Sequence, residues 1–369
     1  LLSLMKFKNL DVIRTILHLT SLVTLILLTA LLGCNGELDN NNLERNAGPI
    51  AQIVSPHNSQ TFNLGDSIKV VIKINRPHDI STLSLFVDDT LFALVEPNKD
   101  QTIMVPTSTN SKVGTKKIFI KYADGERNEY RDNRNIILLS DVIPETKKVE
   151  IVQIYPHAKT SYTQGLEFYK GALYEGTGQY NQSILAEIHL ESGTRLREHS
   201  LPISIFGEGI TIRNDSIFQI TYHAEVCYIY DMNFNQIGEF SYDGEGWGLS
   251  HDSTHLIMTN GSSNVFWRDP QTFEIVKTLE VYDNESHVSY LNELELINGD
   301  LYANIYQDNK IAQIDTATGK VISYIDCYDL TLDALEPGND VLNGIAYNDI
   351  TGKIYITGKW WSKLFEVKF

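Results

Sequence analysis

The sequence predicts an all-β protein, with a five-bladed β-propeller in residues 145–369 preceded by a small immunoglobulin-like β-sandwich in residues 50–140. Three observations predict it. A glycine- and amide-rich tetrad recurs five times at propeller-like spacing. Each tetrad is followed by further short apolar strands and turn residues. The segment before the array instead carries alternating runs such as Ile68–Ile74, Leu83–Val87 and Lys117–Tyr122, separated by turns at Asp88-Asp89 and Asp124-Gly125.

Residues 1–33 have the composition of an export signal. Met5-Lys6-Phe7-Lys8 and Arg14 give a basic start, an apolar run extends from Ile16 to Leu32, and Leu31-Leu32-Gly33-Cys34 resembles a lipoprotein cleavage box. Lipidation is therefore expected on Cys34, with residues 34–49 as a polar tether, and the protein is expected on the bacterial cell envelope, periplasmic or surface-exposed. A run of this length is at the lower limit for spanning a bilayer, so an uncleaved anchor is the competing expectation. Beyond Cys34 only Cys227 and Cys327 remain, so disulfides do not organise the fold, and the sequence leaves open whether those two pair.

Apolar residues at 42% and charged residues at 21% are ordinary for a globular chain. The net charge of −17 opposes nucleic-acid binding, which needs a basic face. Residues 50–140 contain no cluster of reactive groups and are expected to form a spacer or docking module.

The tetrads are Thr163-Gln164-Gly165-Leu166, Gly207-Glu208-Gly209-Ile210, Gly246-Trp247-Gly248-Leu249, Leu291-Asn292-Glu293-Leu294 and Leu342-Asn343-Gly344-Ile345. The fifth repeat ends at Phe369 after its third strand, whereas an orphan strand, Val149–Ile154, precedes the first repeat. The orphan is expected to complete the last blade and so remove an exposed edge.

First strands of blades line a propeller's axis, so equivalent tetrad positions face a common mouth. Those positions hold Gln164, Glu208, Trp247, Asn292 and Asn343, and the ends of the second strands add Gly178, Tyr222, Gly261, Tyr306 and Lys359. Together they describe a cup with one carboxylate, one ammonium, several amides and aromatic walls, which is the form of a binding site. The bland alternative is a channel whose polar residues only hold water. No Ser or Cys triad is evident, and no zinc motif; His251 and His255 are expected at the surface.

The runs Tyr162–Leu166, Tyr174–Gly178, Phe206–Thr211, Glu245–Leu249, Leu291–Glu295 and Thr357–Trp360 resemble, in order, the motif series of the plant and bacterial glutaminyl-peptide cyclotransferases. The likeness covers nothing before about residue 148. It implies a five-bladed propeller that cyclises N-terminal glutamine on peptides, releases ammonia and uses neither metal nor cofactor. Glu208 then falls on the catalytic glutamate and Lys359 on a second catalytic position, with Tyr162, Gln164, Phe206, Tyr222, Trp247, Asn292 and Tyr306 as substrate contacts. Tyr162 replaces a phenylalanine common in the family, and Tyr222 and Tyr306 replace tryptophans. A non-catalytic propeller that binds a peptide or glycan is the alternative; a metal-dependent hydrolase would want several acids at the mouth.

Overall fold

The computed structural model describes residues 48–109 and 111–369, so the export segment and Cys34 lie outside the described residues. The described chain is all-β, apart from a short 3-10 turn and one helix, α1 (Tyr328–Ala334). Residues 51–139 form eight strands: β1 (Ala51–Ser55), β2 (Thr61–Asn63), β3 (Ser67–Ile74), β4 (Ile80–Val87), β5 (Thr90–Leu94), β6 (Gln101–Pro106), β7 (Gly114–Asp124) and β8 (Glu129–Leu139). They build a three-stranded sheet, β1-β3-β6, and a five-stranded sheet, β2-β8-β7-β4-β5. Alternation decides which faces meet. Ile68, Val70, Ile72 and Ile74 turn inward from β3, and Leu83, Leu85, Ile118, Ile120, Ile136 and Leu138 from the other sheet join them in one core.

Five further sheets follow, here numbered I to V. Sheets I to IV are antiparallel meanders of four consecutive strands over residues 163–200, 207–241, 249–280 and 291–326. Sheet V has three consecutive strands over 342–368, and its fourth is β10 (Glu150–Pro156), which pairs with the last strand in the register Ile154 to Phe365. The orphan strand thus lies where the incomplete fifth repeat needs it. A short strand, β9 (Glu145–Lys148), adds in parallel to the outer edge of sheet IV.

The first strands of these sheets are Thr163–Tyr169, Gly207–Arg213, Leu249–His251, Leu291–Ile297 and Leu342–Asn348. They touch one another in cyclic order, the fifth returning to the first. Each begins at its tetrad or just after it. In four of them the pairing register shifts at the tetrad: between Thr163 and Gly165, Gly207 and Ile210, Leu291 and Leu294, and Leu342 and Ile345. Such a bulge frees a residue from the ladder and re-aims its side chain. That is how Gln164, Glu208, Asn292 and Asn343 come to face the shared axis.

Cys227 and Cys327 are free, buried and in different cores, one near Phe273 and the other near α1. Among the described residues no helix is long and apolar enough to cross a membrane.

Candidate active site

At one end of the axis lies a cavity of about 240 Å³ lined by Tyr162, Gln164, Gln179, Phe206, Glu208, Tyr222, Trp247, Asn292, Tyr306 and Lys359. All nine non-lipid residues expected from the sequence are therefore gathered in it. Gln179 is the addition. It follows the second strand of sheet I in a left-handed turn with φ 89°, outside the strand pattern that exposed the others.

Glu208 is at the floor, 4% exposed. Its Oε1 accepts a hydrogen bond from Gln164 Nε2 at 2.9 Å. The Gln164 amide has only one way to face, because Asn343 Nδ2 donates to Gln164 Oε1 at 3.1 Å and to the Thr163 carbonyl at 2.9 Å. Asn343 thus points the donor end of Gln164 at the carboxylate. Burial pushes the Glu208 carboxyl well above the usual range, the nearby Glu245 raises it further, and the Lys359 ammonium opposes both. Burial likewise pushes Lys359 down, while Glu208 and Asp340 hold it up. The pair is a buried acid and a buried base, each with its proton affinity drawn toward neutrality.

Lys359 is reached from the end of the second strand of sheet V and lies between two rings, its Nζ 4.8 Å from the Tyr162 centroid and 5.1 Å from that of Tyr306. Tyr162 packs edge-on to Phe206 and tilts against Trp360, and Phe206 also meets Tyr180 and Tyr222. Trp247 stands edge-on to Tyr306 at 5.5 Å, with Nε1 donating to Glu245 Oε2 at 2.9 Å. Two glycines make room for this wall. A Cβ on Gly178 would run into the Phe206 ring, and one on Gly261, at φ +79°, would run into Trp247. Asn292 is 3% exposed, and its Oδ1 has no hydrogen-bond partner among the described residues.

A second set of acids escaped the sequence reading. Glu167, Glu293 and Glu295 lie further along the first strands, toward the other end of the axis, where Glu167, Glu295 and His251 line a separate cavity. Their signal was present in the sequence, as Glu293 stands where the other repeats have glycine. His251, expected at the surface, is about one-third exposed, with Nδ1 2.9 Å from Thr211 Oγ1 and 3.6 Å from Glu167 Oε1. Among the described residues no group of three or more His, Cys, Asp and Glu side chains is placed to hold a metal ion.

The model of the glutamine cyclotransferase family matches residues 131–369, well over half of the chain. The chain belongs to the glutamine cyclotransferase family. The family match begins earlier than the motifs near residue 148; within it, β9 pairs with the outer strand of sheet IV, Ser140 N donates to Asp283 O, and Lys320 Nζ is 2.6 Å from Asp141 Oδ1. The chain is 33% identical over 235 residues to a glutaminyl-peptide cyclotransferase of Arabidopsis thaliana, covering 62% of this chain and 73% of that protein. It is also similar to the crystal structure of Myxococcus xanthus glutaminyl cyclase, at 34% identity and TM-score 0.58, covering 61% of this chain and 97% of that one.

Proposed function

We infer that this member of the family is a glutaminyl-peptide cyclotransferase, converting N-terminal glutamine of peptides or proteins to pyroglutamate with release of ammonia. The observation that carries the reading is Glu208, a single carboxylate on the floor of an aromatic cavity, aimed by Gln164 and faced by Lys359.

The substrate supplies both reacting groups, its α-amine and its own side-chain amide, so the protein has to fold the side chain back, move protons and stabilise charge. Glu208 takes one proton from the α-ammonium. The freed amine attacks the amide carbon, and the carbonyl electron pair moves onto oxygen. Glu208 passes its proton to the departing side-chain nitrogen and collects one from the newly bonded nitrogen; the oxyanion then collapses, the C–N bond to the side-chain nitrogen breaks, and ammonia leaves, taking as ammonium the proton left on Glu208 and so restoring the carboxylate. A carboxylate with proton affinity raised toward neutrality suits both halves of that transfer. Lys359 supplies positive charge for the oxyanion, Asn292 Oδ1 accepts a hydrogen bond from a substrate N–H, and Trp247, Phe206, Tyr162, Tyr222 and Tyr306 surround the glutamine and exclude water.

The cyclic contacts of the five first strands and the completion of sheet V by β10 support reading sheets I to V as the blades of a five-bladed propeller. The shared core of the two preceding sheets supports an immunoglobulin-like sandwich. The sequence before Cys34 supports export and lipid anchorage there. Mass spectrometry of membrane-extracted protein then finds an acylated Cys34 at the N-terminus; an intact Met5 start counts against it. Incubation with a glutamine-initiated peptide tests the activity: pyroglutamyl product with stoichiometric ammonia supports it, and binding without turnover supports a binding module instead.

A further inference from the structure

We infer that Glu245 and Asp340 are specificity-determining residues that make this enzyme select peptides in which lysine or arginine follows the N-terminal glutamine. The inference rests on the cyclase reading and extends it to the rest of the substrate. A cavity of about 240 Å³ with Glu208 at its floor has room for one glutaminyl residue, so the peptide's second residue crosses the rim.

Two loops place carboxylates there. Glu245 precedes the first strand of sheet III; its Oε2 accepts from the indole of Trp247 at 2.9 Å, its Oε1 is 3.7 Å from His223 Nδ1, and its side chain is 39% exposed. His223 in turn stacks on the Tyr222 wall with ring centroids 3.6 Å apart. Asp340 is on the loop before the first strand of sheet V, where its Oδ1 accepts from Val341 N at 2.8 Å; its backbone is paired to Lys359, with Asp340 N donating to Lys359 O at 3.0 Å, and its carbonyl accepts from the Trp361 indole at 2.8 Å. Both carboxylates act on the cavity. Glu245 is close enough to bear on Glu208 and Tyr222, and Asp340 on Tyr162 and Lys359.

The charge at the rim is badly matched to the α-ammonium, which must lose its proton to react. It suits a cation that keeps its proton throughout. The rings beside it strengthen the match, because an aromatic face such as those of Tyr222 and Trp247 attracts a guanidinium or ammonium next to a carboxylate. Acidic second residues meet the same charges as repulsion, so attraction and exclusion work together.

The test compares kcat/KM for two peptides that differ only in lysine or glutamate after the N-terminal glutamine. At low salt the lysine peptide is expected to be favoured on the order of tenfold, since each exposed charge contact is worth about two- to fivefold and the glutamate peptide loses what the lysine peptide gains. Raising the salt should shrink the ratio. Glu245→Gln keeps an oxygen for the Trp247 indole and removes only charge; it should lower the ratio about two- to fivefold, and Asp340→Asn should do the same. Equal kcat/KM for the two peptides, or a ratio unmoved in both variants, overturns the inference. Should neither peptide release ammonia, the cyclase reading fails, and the affinity ratio of the same two peptides for the full-length protein, measured by calorimetry, decides this inference by the same criteria.

Discussion

A methyl group at residue 261 has no space, because the Trp247 indole occupies it and the backbone there is left-handed. Gly261→Ala is expected to cost about 1–3 kcal/mol from overpacking, with roughly 1–2 kcal/mol more for the backbone. It should also push Trp247 off the cavity wall, so kcat/KM on a glutamine-initiated peptide falls at least about tenfold in protein that is still folded; thermal melts and steady-state kinetics read the two effects separately. Lys359→Met keeps an unbranched side chain one atom shorter and removes its charge. If Lys359 stabilises the oxyanion, kcat drops on the order of 10²-fold. The same change withdraws the cation that holds Glu208 down, so the acid limb of the pH profile for kcat/KM moves to higher pH; an unmoved limb would separate Lys359 from Glu208. At this scale much of the cavity was legible in the sequence, because tetrads and second-strand ends recur at fixed offsets and bulges aim the tetrad residues at one axis. Gln179 and Asp340 were not, since they belong to turns that follow no repeat. The glycines at 178 and 261 were visible as pattern, while the rings they accommodate became clear only with the packing.

Along the first strands, buried carboxylates fasten one sheet to another, mostly through backbone amides. Glu293 accepts from Leu166 N at 3.3 Å and Ile345 N at 2.7 Å, Glu295 accepts from Tyr347 N at 3.2 Å and Ser250 Oγ at 3.4 Å, and Glu167 accepts from Ile212 N at 2.9 Å. Burial pushes all three up, helped at Glu167 and Glu293 by the neighbouring Glu295 charge, and Glu295 reaches about 8. A carboxyl raised in the fold binds more protons folded than unfolded, so its contribution to stability is complete below the unfolded value of about 4.3 and is lost as pH rises through the folded value. His157, raised by its contact with Glu175 at 3.0 Å against the opposing effect of burial, adds a loss of the same sign. The melting temperature should therefore fall between pH 6 and pH 9, and Glu295→Gln, which cannot ionise, should fall less steeply. A melting temperature that is flat or rising over that range in the unmutated protein would contradict the linkage. These acids were hidden from the repeat reading because it aligned only the tetrads' second positions, whereas Glu293, Glu295 and Glu167 lie beyond them on the same strands.

The two N-terminal sheets are fastened to the array far from the cavity. Glu280 Oε2 accepts from the Thr115 amide and hydroxyl, each at 3.1 Å, Val113 N donates to Thr318 O at 2.9 Å, and Tyr282 joins the N-terminal core. None of these residues lines the site. Removal of residues 35–140 is thus expected to lower the melting temperature, by uncovering Tyr282 and Glu280, while kcat stays near that of the whole protein. Removal of 35–156 takes β10 as well and leaves the last strand of sheet V as an open edge, so that chain should aggregate. A folded, active product from the longer deletion would refute the closing role of β10. The array and its completion from the N-terminal side were legible from repeat counting alone, but the docking of the preceding sheets was not, because it depends on single side chains at the ends of loops. Full-length protein and its Glu208→Gln variant, given the same glutamine-initiated peptide, test the central assignment most directly. Glutamine keeps the shape and cannot carry the proton, so the expected result is unchanged peptide affinity and melting temperature with ammonia release slowed about 10²–10⁴-fold; turnover at the unmutated rate would contradict Glu208 as the group that moves the proton.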